Sequence, residues 1–259
     1  MTSGYVIGIG GQKCASTWLH DVLARFPGVQ AAARKELDFF SYHHDRGHGW
    51  YAGHWAAPGL RLECSPSYLH DPRAPGRLHA FAPGARVIAI LRDPVERAYS
   101  HHLHEIARGH IAPCDFAEAL PRNPDYLAQG LYARHLAGWF DRFGPDRRLV
   151  LLQEDVFADP AGALARLARF LDRPAPALDT AVQAPKNVSD RPRSVALRRG
   201  LRMGGQLARR LGREEALTAL KATPPLRALR AWNDRPLRAI VPPLTETERR
   251  RLAAYFDSD

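Results

Sequence analysis

The stretch Tyr5-Val6-Ile7-Gly8-Ile9-Gly10-Gly11-Gln12-Lys13-Cys14-Ala15-Ser16-Thr17-Trp18-Leu19 narrows the folds open to this chain more than any other. Tyr5 to Ile9 is a short apolar run with β-branched residues, the pattern of a central strand in a parallel sheet. At Gly10 and Gly11 the missing Cβ permits backbone conformations and close approaches that other residues cannot make. Ser16 and Thr17 then open a segment whose apolar positions, Trp18, Leu19, Val22, Leu23 and Phe26, share one helical face. A strand, glycine turn and helix in this order aim main-chain N–H groups and the positive helix end at one point, and Lys13 adds a full charge there. This predicts an anion site suited to phosphate or sulfate. It is not the triphosphate loop G-x-x-x-x-G-K-[ST], because no glycine directly precedes Lys13. A plain connecting turn would share the local pattern, so the weight rests on what else the chain carries.

A second strand and helix repeat the arrangement. Arg86-Val87-Ile88-Ala89-Ile90-Leu91 is the clearest buried strand, and it runs straight into Arg92-Asp93-Pro94-Val95-Glu96-Arg97-Ala98-Tyr99-Ser100. Asp93 suits an N-cap, Pro94 the first helical position, and Glu96 the reach-back partner of a capping box. Arg92 then stands at the C-terminal edge of a parallel strand, where α/β sheets bind ligands, and Ser100 lies two turns into the helix. The cap explains Asp93 and Glu96. A second anion is the simplest reason for Arg92 and Ser100.

The rest supplies further helices and strands. Arg61 to Tyr68 reads as a strand ending in a Ser-Pro turn, Arg73 to Phe81 as a helix, Phe116 to Leu120 and Tyr126 to Phe143 as helices, and Arg148 to Leu152 as a strand. Asp159-Pro160 caps a helix through Leu171, and Thr245-Glu246-Thr247-Glu248 is a capping box for a final helix. The expected class is α/β, a central parallel sheet flanked by helices with a helical C-terminal extension. Residues 1–259 form a single domain in this reading, with residues 1–183 as its core. Residues 184–259 add an irregular polar loop, Lys186 to Ser194, followed by arginine-rich amphipathic helices. In Lys35-Glu36-Leu37-Asp38-Phe39-Phe40 the aromatic pair anchors a loop whose charges are either simply solvated, as composition alone favours, or arranged so that Lys35 or Glu36 points into the cleft opened by the glycine turn. Trp50, Tyr51 and Trp55 belong to a short helix, as core or as the wall of an acceptor pocket. His43, His44, His48 and His54 surround it without the spacing of a metal site.

The formal charge of +10 suits a surface that attracts anions, and only four of the 37 basic residues are lysine (Lys13, Lys35, Lys186 and Lys221). Three cysteines without paired spacing fit reduced thiols. The N-terminus lacks the layout of a secretory signal and no apolar run could span a bilayer, so the expectation is a cytoplasmic protein without membrane insertion.

Together these segments resemble the sulfotransferases that use 3′-phosphoadenosine-5′-phosphosulfate, in particular their bacterial and heparan-type branch. Gly10 to Leu19 is similar to the family's 5′-phosphosulfate loop, Lys35 to Phe40 to the segment with its catalytic carboxylate, and Arg92 to Ser100 to its 3′-phosphate motif. Asn187-Val188-Ser189 to Pro192-Arg193-Ser194 is similar to a late donor-capping loop. The resemblance implies a P-loop-like fold without metal. It implies that the donor's phosphosulfate end is held by Lys13 with Gly11, Gln12, Cys14, Ala15, Ser16, Thr17 and Trp18. Arg92 and Ser100 hold the 3′-phosphate, Lys186, Asn187 and Arg193 close over the donor, and Glu36 is the general base. The family loop usually has glycine where Ala15 stands, and a methyl group fits there if φ is negative.

Two other readings compete. A P-loop-type kinase needs a triphosphate loop and a magnesium-binding aspartate, and Asp93 and Asp155 are better read as a cap and a loop residue. A nucleic-acid-binding module is suggested by the basic C-terminal stretch, whose helices lack stacking aromatics. The acceptor, a carbohydrate or small molecule and an acidic one if the basic stretch attracts it, is not set by composition. A phenol or amine acceptor would suit His43 or His44 as base.

Overall fold

The computed structural model of the protein describes residues 4–177, 190–192, 223–225 and 234–259. They divide into two compact units, one spanning Met1–His101, Asn123–Asn187 and Thr245–Asp259, the other His102–Arg122 and Val188–Leu244.

In the first unit five strands, β1 (Tyr5–Gly8), β2 (Val29–Ala31), β3 (Leu60–Cys64), β4 (Arg86–Leu91) and β5 (Arg148–Leu152), form one sheet. Their order is β2-β3-β1-β4-β5, and every pairing is parallel. The α/β class expected from the sequence is the one observed. β1 is central, with Val6, Ile7 and Gly8 opposite Arg86, Val87 and Ile88 of β4. Alternation along the strands sends Val6, Ile88 and Ile90 to one face. There Trp18, Leu19, Val22 and Leu23 of α1 (Ser16–Leu23), with Leu164, Leu167 and Leu171 of the helix Pro160–Leu171, cover them. Tyr5, Ile7, Ile9, Val87, Ala89 and Leu91 point the other way, into a layer built on Phe39, Phe40, Tyr51, Tyr68, Trp139 and Phe143. Each such side chain taken from water contributes roughly 1.5–3 kcal/mol. The sheet is thereby fixed between two apolar layers, and its C-terminal edge carries the loops.

After α1 the chain forms α2 (Gly47–Ala52), α3 (Ala74–Phe81) and α4 (Pro94–Arg108). Asp93 caps α4 as expected, its Oδ1 accepting the Glu96 N–H at 2.8 Å. The reach-back acceptor differs from the expectation. The Asp93 N–H donates to Glu154 Oε1 at 3.1 Å, while the Glu96 carboxylate engages Arg92 at 3.5 Å and Arg249 at 2.6 Å. Two nearby guanidinium groups offer Glu96 more than its own helix end does. The C-terminal capping box is made as expected, with Thr245 N–H donating to Glu248 Oε2 and Glu248 N–H to Thr245 Oγ1.

Two local expectations are corrected. The segment Tyr126 to Phe143 is two helices, Asp125–Ala128 and Tyr132–Phe140. The break falls at Gly130, where the backbone passes so close to the C-terminal helix that a Cβ would lie 2.5 Å from Phe256 Cε1. The Phe26-Pro27-Gly28-Val29 segment, whose proline and glycine predict a turn, leads at Val29 directly into the short edge strand β2. In the second unit the loop expected at Lys186 to Ser194 contains a strand, β6 (Asp190–Pro192), paired antiparallel with β7 (Asp234–Pro236). The same unit holds the helix Phe116–Ala119, capped by Asp115, whose Oδ1 accepts the Glu118 N–H at 2.8 Å. The arginine-rich residues 193–222 and 226–233 lie outside the described residues. Among the described residues no helix is long and apolar enough to cross a membrane.

Candidate active site

Because β1 and β4 run side by side in the same direction, the segments that follow them emerge at one sheet edge. The glycine turn is laid along β4: Ile9 N–H donates to Ile88 O at 2.9 Å and Gly11 N–H to Ile90 O at 3.2 Å. A Cβ on Gly10 would lie 2.7 Å from Ile90 Cγ2 and 2.9 Å from its carbonyl oxygen, so close approach is what requires glycine there. The left-handed positions of the loop fall instead on Lys13 (φ 71) and Ala15 (φ 61).

The condition under which a methyl group fits freely at Ala15, a negative φ, is therefore not met. Left-handed backbone costs a residue with a Cβ about 1–2 kcal/mol, and glycine's extra freedom in the unfolded chain returns roughly half of that. Ala15→Gly is expected to stabilise the protein by about 0.5–1 kcal/mol, read as a higher denaturant midpoint at unchanged m-value. A lower midpoint would show that the methyl group packs usefully.

The turn directs several amides outward. Among the described residues the N–H groups of Gln12, Ala15 and Ser16 have no hydrogen-bond acceptor. Those of Gly11 and Cys14 are used inside the fold, on Ile90 O and on Gly11 O at 3.2 Å. Cys14 is wholly buried, and burial pushes its thiol up to about 11. Trp18 is 2 % exposed with its ring against Phe157, so only its main chain stands at the helix start. Lys13, Ser16 and Thr17 are partly exposed at the same turn.

Two further segments meet this loop. Lys35 Nζ donates to Thr17 Oγ1 at 3.1 Å, to Ser16 Oγ at 3.5 Å and to Glu36 Oε1 at 2.8 Å. The aromatic anchor acts as expected: Leu37, Phe39 and Phe40 are fully buried, Phe39 stacks on Tyr51 at 4.6 Å, and Glu36 stays half-exposed beside the start of α1. From the other side, Tyr132 Oη contacts Cys14 Sγ at 3.6 Å. The positive charge of Arg92, at the end of β4, is felt at the same buried thiol. Arg92, with 15 % of its side chain exposed, and Ser100 are both partly open on α4 and the turn before it. Lys186, Asn187 and Arg193 lie outside the described residues.

The scarcity of lysine singles out Lys35 in the sequence, and its ammonium stands at the glycine turn. Sequence reading gives too little weight to two other residues. Tyr132 carries no local signal, since its partners stand far off in the chain. Arg97 is completely buried. Its Nη2 donates to the carbonyl oxygens of Tyr126 and Asp125, and desolvation lowers its pKa. Its positive charge is felt at Cys14 and Tyr132, directly behind the loop. The histidines around the short helix pack against rings, His44 on Phe39, His48 on Phe81, and His43 and His54 on Trp50, with the His44 and His48 rings 5.9 Å apart.

Comparison with known proteins agrees with this geometry. The model of the sulfotransferase family matches residues 32–177, which include Lys35–Phe40 and Arg92–Ser100 and leave out the glycine loop. Human bifunctional heparan sulfate N-deacetylase/N-sulfotransferase 3 is 31% identical over 191 residues, covering 63% of this chain and 21% of that protein. Mouse heparan sulfate glucosamine 3-O-sulfotransferase 6 is 31% identical over 173 residues, covering 63% of this chain and 50% of that one. The chain thus spans half or less of the length of these two relatives. A crystal structure of a sulfotransferase from Alicyclobacillus acidocaldarius superposes with a TM-score of 0.62 at 23% identity, over 70% of this chain and 88% of its own, a likeness of fold. With the family model matching more than half its length, and a parallel sheet bearing the family's motifs at one edge, the chain belongs to the sulfotransferase family.

Proposed function

We propose that the protein transfers the sulfuryl group of 3′-phosphoadenosine-5′-phosphosulfate to a hydroxyl or amine of a carbohydrate or other small-molecule acceptor. One observation carries this reading. The Lys13 loop and Arg92 follow neighbouring parallel strands, the loop being laid along β4 through Gly11 N–H and Ile90 O, with Lys35 and Glu36 beside the same helix start. A donor with phosphate at two ends needs two cationic holds at adjoining places, and these residues fit it. The outward amides of Gln12, Ala15 and Ser16, with Lys13, suit the phosphosulfate end. Arg92 and Ser100 suit the 3′-phosphate. The donor brings an activated sulfuryl group, and the protein's own work is positioning and charge. Glu36 takes the proton of the attacking acceptor group, and Lys13 offsets charge gathering on the departing phosphate oxygen. The related proteins are named for both 3-O- and N-sulfation of heparan sulfate, so a glucosamine-containing oligosaccharide is the first acceptor to try.

The test is a thermal-shift comparison of adenosine 3′,5′-bisphosphate with ATP and ADP. The bisphosphate is expected to raise the melting temperature most. Arg92→Ala is expected to weaken its binding by roughly 10–100-fold, the worth of a charge-assisted hydrogen bond. A larger shift with ATP, insensitive to Arg92→Ala, would favour a kinase and overturn the proposal.

A further inference from the structure

β3 carries a glutamate among residues that are otherwise closed off from water. Leu62 and Cys64 on either side are fully buried, and Glu63 itself is 1 % exposed. A carboxylate so placed is costly unless its oxygens are hydrogen-bonded. Among the described residues Glu63 has no basic partner, and hydroxyls surround it. Ser65 Oγ donates to Oε1 at 2.5 Å, Tyr51 Oη to Oε2 at 2.9 Å, and Tyr68 Oη to both oxygens at 2.9 and 3.0 Å.

A hydroxyl that donates toward a carboxylate keeps its lone pairs for an incoming N–H. Two of the three use them in this way. The Asp38 N–H donates to Ser65 Oγ at 3.0 Å, and the Phe39 N–H to Tyr68 Oη at 2.8 Å. Both amides belong to the loop that begins with Lys35 and Glu36. That loop bends through two left-handed residues, Glu36 (φ 59) and Asp38 (φ 51), a conformation that persists only where its surroundings hold it. An ionised carboxylate, which can only accept, orients all three hydroxyls inward at once. A neutral acid would turn one of them outward.

We propose that Glu63 is a positioning residue for sulfuryl transfer: through Ser65 and Tyr68 it locks the main chain at Asp38 and Phe39, and so fixes where the Glu36 carboxylate stands against the start of α1. This rests on Glu36 being the base, as proposed above. Burial pushes the Glu63 carboxyl up to about 7, against the lowering effect of its three hydroxyl partners. The titratable groups that face it are Tyr51 of α2, Tyr68 after β3 and Asp38 of the loop, with Tyr5 of β1 stacked behind Tyr51. The lock is therefore intact above that pH and loosens as Glu63 takes up a proton below it.

The test uses the full chain with Glu63→Gln, Tyr68→Phe, Ser65→Ala and, as reference, Glu36→Gln. Amide hydrogen exchange of the peptide spanning 36–41 needs no acceptor. In Glu63→Gln it is expected to speed up by about tenfold or more at Asp38 and Phe39, one hydrogen bond's worth. Tyr68→Phe should release the Phe39 amide and Ser65→Ala the Asp38 amide, each leaving the other protected. These two variants decide the matter should Glu63→Gln fail to fold. In turnover, followed as adenosine 3′,5′-bisphosphate release with a desulfated heparan oligosaccharide, Glu63→Gln should lower kcat by roughly 10–100-fold, a misplacement effect. Its bisphosphate affinity should be unchanged, and the acid limb of its pH profile near neutrality should be lost. A folded Glu63→Gln protein with wild-type exchange at 36–41 and a wild-type pH profile overturns the proposal. Wild-type turnover by Glu36→Gln would instead sink the base assignment, and the exchange result would still judge the lock.

Discussion

Glu36→Gln is expected to lower kcat by roughly 10²–10⁴-fold while leaving the binding of adenosine 3′,5′-bisphosphate intact, the span typical of a lost general base. Glutamine keeps the length of the side chain, and its carbonyl can still accept from Lys35, which stands 2.8 Å from Glu36 Oε1. The loop is held by Leu37, Phe39 and Phe40, all fully buried, so the substitution has no route to the fold. What the amide cannot do is take a proton from an acceptor hydroxyl. The measurement is steady-state turnover with the oligosaccharide and, separately, with p-nitrophenol, alongside a thermal-shift titration. Wild-type kcat with either acceptor would move the base elsewhere. His43 and His44 are the next candidates, and burial lowers the pKa of His44.

Lys13→Ala should cost about 10²–10³ in kcat, the usual effect of removing one donor from a developing negative charge. Its pattern should differ from that of Arg92→Ala. In the proposed reaction the 3′-phosphate does not change, so an Arg92 that holds it serves ground and transition states alike, and its loss should raise KM with kcat nearly intact. Lys13 stands at the turn beside Ser16 and Thr17, where the leaving phosphate of that proposal would gain charge, so its loss should fall on kcat. It should also weaken the product bisphosphate more than the intact donor. Lys35, bonded to both Ser16 and Thr17, leaves one cation at that end and keeps the loss from being complete. If Lys13→Ala changed only the donor's KM, the lysine would be a binding residue and the leaving group would be neutralised by another side chain.

The sheet was legible because β1 and β4 have the continuous apolar composition that burial on both faces demands, and α4 and the C-terminal helix because capping chemistry is local. The glycine loop and Arg92 were legible for the same reason: each follows a strong strand. What escaped reading depends on partners remote in the chain. β2 is three residues long with no signature of its own, and Gly130 breaks a helix because of Phe256. Glu96 prefers Arg92 and Arg249 to its own helix end. Tyr132 and Arg97 matter through Cys14, which lies far before both in the chain, 118 residues before Tyr132. Ala15 shows a limit of another kind, since a residue's type does not reveal that its surroundings hold it left-handed.

The parallel pairing of β1 with β4 has a consequence for how this protein comes to work. A parallel neighbour cannot be reached by a hairpin, so the two cationic holds meet only after the long intervening chain has been threaded and the sheet has closed. Ligand recognition is then a late event in folding, absent from any partly assembled form. A donor analogue should therefore rescue marginal variants in proportion to its concentration, drawing the whole equilibrium toward the completed sheet.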